Sequence, residues 1–153
     1  MNKNIKGYSE VPKYLNLAER NYLLAEELRK NKIGPDWYIT ILYYSAVHYV
    51  NVFFIMRGIS IPSHHRSFDK NGQKIYGRRD EFFELVKKET GKEARKAYGY
   101  YRSLENKSWL LRYEPDASGN INYTSIAGFK GALKSLQKII INQLKSMPST
   151  ATS

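Results

Sequence analysis

The chain contains no cysteine, which excludes a disulfide scaffold and any thiolate metal site. That absence agrees with the cytoplasmic location expected for it. Its ten glycines are scattered, and no Gly-rich phosphate loop, HExxH helix or serine nucleophile elbow occurs. The polar opening MNKNIKGYSE lacks an apolar h-region, so no secretion signal is expected. No segment alternates well enough to be read as a strand. Acid is scarce: 14 Asp and Glu stand against 25 Lys and Arg, a net charge of +11, and none follows Asp116. Such a balance favours polyanion partners through counterion release, although it also serves solubility alone.

Apolar residues make up 42% of the 153 positions, enough for one domain with one core. The stretch that organises the rest is PDWYITILYYSAVHYVNVFFIM, followed by Arg57 and Gly58. Trp37 to Met56 carries no charge over 20 residues, a length that spans a bilayer. It also holds Thr40, Ser45, His48, Asn51 and four tyrosines, which are costly at bilayer depth. The expectation is therefore a buried central helix from Pro35 to Arg57 and no membrane. Thr40, Tyr44, His48 and Asn51 cluster on one stripe of it, which needs hydrogen-bond partners from another helix, a second subunit or a ligand. Gly58 suits a left-handed helix stop.

Other helices follow from spacings of three and four. Val11–Lys30 shows Tyr14, Leu17, Ala18, Tyr22, Ala25 and Leu28 on one face, with Glu26 outside it. Residues 78–90 offer Phe82, Phe83, Leu85 and Val86. Residues 93–113 carry a seam of Ala94, Ala97, Tyr101, Leu104, Ser108 and Leu111. A last helix from Thr124 or Ser125 presents Ile126, Phe129, Leu133, Leu136, Ile140 and Leu144, with Lys130, Lys134 and Lys138 on another side. Residues 59–77 read as a long loop with at most a turn of helix, and from Arg57 to Arg79 there are six Lys/Arg and one Asp. The expectation is an all-α, up-down bundle of four to five helices over residues 10–147, with a loose arm at 1–9 and a frayed tail at 148–153.

Arg57 and His64 are the best candidates for chemistry. Cleaving RNA without a metal needs proton transfer, which suits histidine, and charge neutralisation at a phosphate, which suits the arginine fork. Both are expected to be at least partly exposed. The bland alternative is a helix-end cation beside a solvated loop histidine. His64, His65 and Asp69 give only a weak metal signal, and no metal or cofactor is expected. His48 is read as a hydrogen-bonded core group.

Asp36 to Arg66 resembles the second helix and following loop of HEPN-domain proteins, and Ala97 to Pro115, ending in Arg112-Tyr113, is similar to that family's third long helix. The resemblance implies a helical bundle that dimerises, with many members acting as metal-independent ribonucleases in toxin–antitoxin or defence systems. Arg57-x6-His64 matches the family's Arg-x4–6-His motif, which implies a phosphate-binding role for Arg57 and a general acid or base role for His64. His65 and Asn51 are candidate supporting groups. Gly58 stands where active members carry Asn, Asp or His. Arg66, Lys70, Lys74, Arg78, Arg79, Lys130 and Lys134 are the candidate RNA-binding cations. Expected partners are RNA, a second copy of the chain and a nucleotidyltransferase-like antitoxin. The alternative is a non-catalytic dimerisation module binding nucleotide, RNA or a protein.

Overall fold

The computed structural model of the chain describes residues 5–63, 67–114 and 121–148. Five helices form an all-α bundle: α1 (Val11–Lys30), α2 (Pro35–Met56), α3 (Arg78–Lys88), α4 (Lys92–Tyr113) and α5 (Gly128–Lys145). A small antiparallel hairpin, β1 (Ser67–Phe68) and β2 (Lys74–Ile75), precedes α3.

The uncharged stretch is the bundle's core. Sixteen residues of α2 are buried, and α2 packs against α1, α4 and α5. It is long and apolar enough to cross a membrane, but most of its apolar surface is covered by the other helices. Close approach of α1 is allowed by Ala18 and Ala25, both fully buried, and the Ser45 hydroxyl donates to the Ala18 carbonyl at 2.7 Å. On the other side, aromatic rings knit α2 to α3 and α4. Phe82 lies 4.7 Å from Phe53, 5.4 Å from Tyr98 and 5.7 Å from Tyr101, centroid to centroid. Offset and edge contacts at such spacing add to what burial alone contributes. In α4 the buried residues are the six of the expected seam.

Four expectations need correction. Residues 59–77 are not all loop, because the 67–75 hairpin forms there. The arm is not loose where it is described: Ile5 and Tyr8 pack on the core, their apolar side chains finding cover there, and Tyr8–Glu10 makes a 3-10 turn. The last helix starts at Gly128 rather than Thr124 or Ser125, because a turn intervenes in which the Asn122 carboxamide accepts from the Ser125 amide at 2.9 Å. Glu26 is buried rather than outside the packed face, since it receives Arg29 at 2.9 Å and Lys130 of α5 at 2.9 Å.

Candidate functional site

The end of α2 is built as the sequence suggests. Gly58 has φ +68°, its amide donates to Ile55 at 2.9 Å and the Ile59 amide donates to Phe54 at 3.1 Å. This paired 6→1 and 5→2 pattern is the Schellman stop, and it needs a residue that tolerates the left-handed region. Gly58 thus has a conformational task of its own.

Arg57 is engaged by protein groups on several sides. Its Nε and Nη2 grip the two carboxylate oxygens of Glu89, the latter at 3.0 Å. Nη2 also donates to Gln143 Oε1 at 3.2 Å and Nη1 to the Phe53 carbonyl at 3.2 Å. The plane sits 3.3 Å from the Phe53 ring centroid. The side chain is 10% exposed, at the low end of the partial exposure expected. The physical reason is that the helix end meets the C-terminal end of α3 and the last turns of α5, and a forked cation satisfies all three neighbours. Its expected partner His64 lies outside the described residues, as do His65 and Arg66.

A second polar group lies elsewhere on α2. Asn51 Oδ1 accepts from Arg78 Nε at 3.3 Å, and the Arg78 amide donates to the Ser63 carbonyl at 2.9 Å. Arg78 is buried, which removes it from the RNA-facing surface where the sequence reading put it; Asn51 draws it inward. Six residues at about 100° each set Arg57 some 120° around the helix from Asn51, so these two candidates do not share a face. One turn before Asn51, the His48 ring packs 6.1 Å from that of Tyr14. Its Nδ1 is buried with no hydrogen-bond partner among the described residues, against the expectation of a satisfied core group. Burial, then the nearby Arg78 and Arg20 charges, hold the imidazole pKa below its ordinary value. The polar stripe therefore divides. Thr40 is satisfied by the Asp36 carbonyl at 3.0 Å and meets Ser108 at 3.5 Å. Asn51 is satisfied by Arg78, while Tyr44 stays exposed.

The remaining cations differ in their freedom. Lys130 is tied to Glu26, and Arg79 reaches Glu105 at 3.4 Å and Asn106 at 3.1 Å. Each borders a cleft: Arg79 one of about 610 Å³ with Trp109 and Phe129, Lys130 one of about 640 Å³ with Tyr38 and Tyr123. Lys134 lies 3.7 Å from the Tyr22 ring centroid and faces no carboxylate among the described residues. Lys70 and Lys74 are exposed on the hairpin. No group of three or more His, Asp or Glu that would hold a metal occurs among the described residues. Asp69 is instead engaged by the Asn71 and Gln73 amides, both at 2.8 Å.

Sequence reasoning missed Glu89 and Gln143, which lie 32 and 86 positions from Arg57 and leave no local spacing to read. It also missed the hairpin, although Asn71-Gly72 between Phe68 and Ile75 is a hairpin signal. No family model, curated protein or solved structure matches the chain.

Proposed function

We propose that this protein is an RNA-binding helical bundle of the HEPN type. The observation that carries the reading is where the surplus positive charge sits. Lys134 and Lys138 on α5, and Lys70 and Lys74 on the hairpin, are exposed and form no ion pair among the described residues. Helix α5 contains four lysines and no acid. Surfaces of this kind attract a phosphate backbone and release its counterions.

The engaged Arg57 favours the non-catalytic version, a binding and dimerisation module. A second copy would dock on the uncharged stripe of α2, where Trp37 and Tyr44 are exposed beside Ile41 and His48. The cytoplasm and a nucleotidyltransferase-like partner belong to the same proposal, carried by the resemblance alone. The other version is a metal-independent endoribonuclease, a toxin or defence effector, that leaves a 2′,3′-cyclic phosphate and a 5′-hydroxyl. It is favoured by the Arg57-x6-His64 spacing and requires Arg57 to release Glu89.

One experiment separates these versions. Labelled RNA is incubated with the protein in excess EDTA, and binding and cleavage are read together. The binding module predicts salt-sensitive binding with intact RNA. Cleavage that survives EDTA and falls by about 10²-fold or more in His64→Ala would establish the nuclease instead. Absence of binding at low salt would refute both.

A further inference from the structure

The hairpin before α3 exposes aromatic side chains beside cations. Its register pairs Phe68 with Lys74 and Ser67 with Ile75. Residues directly opposite in an antiparallel pair share a face, and side chains alternate along a strand. Phe68, Lys74 and Tyr76 therefore lie on one face, and Lys74 Nζ stands 5.2 Å from the Tyr76 ring centroid. Phe68 is 72% exposed and Tyr76 46%.

This face is held in shape. Asp69 is the single acid between Ser67 and Tyr76, and its carboxylate accepts from the Asn71 and Gln73 amides. The Asp69 amide in turn donates to Gln73 at 2.9 Å, and Gly72 supplies the left-handed turn residue at φ +75°. The acid is thus occupied in building the turn, and Lys70 and Lys74 dominate the local charge. Two large rings left in water on a built turn mark an interaction surface rather than leftover core.

We propose that residues 67–76 form a grip for single-stranded RNA, an inference that rests on the RNA-binding reading above. Phe68 and Tyr76 act as stacking platforms for bases, and Lys70 and Lys74 neutralise the adjacent phosphates. Charge complementarity selects this occupant: a second copy of the chain would bring the same lysines against these, whereas a polynucleotide brings phosphates and ring faces together. Single strands are preferred because their bases present open faces for stacking, while a duplex hides them and its deep, narrow major groove admits no side chains.

The test is fluorescence anisotropy in EDTA, with a labelled 12-nucleotide RNA either single-stranded or annealed to its complement. Wild type should bind the single strand more tightly. Phe68→Ala and Tyr76→Ala should each weaken that binding by about 5- to 150-fold, the stacking of one base, with the salt slope unchanged. Lys70→Ala with Lys74→Ala should reduce the slope of log K against log salt by about 1.4, some 0.7 per phosphate contact. Circular dichroism of each variant should match wild type, since the replaced side chains are exposed. Equal affinity for duplex and single strand, or aromatic variants that bind as wild type does, would overturn the grip and leave RNA binding standing. Loss of binding to phosphatidylserine vesicles in the aromatic variants, with RNA binding unchanged, would assign the face to a membrane surface instead. If wild type binds no RNA at 20 mM salt, the grip and the reading beneath it fail together.

Discussion

Replacing Arg57 by alanine distinguishes a structural clamp from a phosphate-binding group. In the clamp the Arg57 side chain is 10% exposed and that of Glu89 30% exposed. Removing one partner of a buried pair costs about 3–5 kcal/mol. Glu89 regains water more readily than a fully buried carboxylate, so about 2–3 kcal/mol is the appropriate share of that range. Loss of the Phe53 contact adds about 0.5–1 kcal/mol. The expected destabilisation is about 3 kcal/mol, or a fall in Tm of about 6–12 °C for a chain of this size. Urea and thermal unfolding followed by circular dichroism measure it directly. Arg57→Lys should recover part of the loss, keeping the charge but not the fork. A double-mutant cycle with Glu89→Ala should give a coupling of about 1–3 kcal/mol. If Arg57→Ala unfolds within 0.5 kcal/mol of wild type, the Glu89 bridge contributes nothing to stability and the clamp is refuted.

Three further outcomes follow from charge. The His48 pKa is depressed from 6.5, so between 6.5 and its folded value the unfolded chain holds a proton that the native state does not. Stability should therefore fall as pH drops below 6.5, by at most about 1.4 kcal/mol per pH unit, and His48→Gln should flatten that decline in a urea series. Burial pushes the Glu26 carboxyl up, but Arg29 and Lys130 outweigh it and hold the pKa below 4.5. Its contribution, present above 4.5, should vanish as pH falls through the folded value, and Glu26→Gln should remove that lower step alone. Raising salt should increase Tm by screening lysine repulsion while weakening RNA binding; a Tm that falls with salt would show that ion pairs outweigh the surplus charge.

The helices were legible because their burial is local and periodic. The α4 seam, spaced by three and four, is the set of residues that α4 buries, and Gly58 announces the end of α2 through the conformation it alone adopts cheaply. The site was less legible for a different reason. Arg57, Glu89 and Gln143 converge from three helices, and sequence spacing carries no trace of such a meeting. The polar stripe of α2 was visible as a pattern, yet only packing decides that Asn51 meets Arg78 and that Tyr44 meets water. Two-residue strands offer too little alternation to read, so the hairpin's one local sign was Asn71-Gly72.

The placement of acids links these observations. Among the described residues, carboxylates that bridge helices sit at joints: Glu26 fastens α1 to α5 through Lys130, Glu89 fastens α3 to the end of α2 through Arg57, and Glu105 fastens α4 to α3 through Arg79. Asp69 closes the hairpin turn through backbone amides. In a chain with 14 acids, committing these to joints and turns leaves the outer lysines of α5 and of the hairpin without an ion-pair partner among the described residues. The positive field is thus sharpened by the same contacts that hold the bundle together. A catalytic Arg57 would require one of those joints to open, whereas binding through Lys70, Lys74, Lys134 and Lys138 requires none to move. Under the RNA-binding proposal the intact bundle would therefore hold a polyanion as it stands, and cutting one would be an additional step that begins with the release of Glu89.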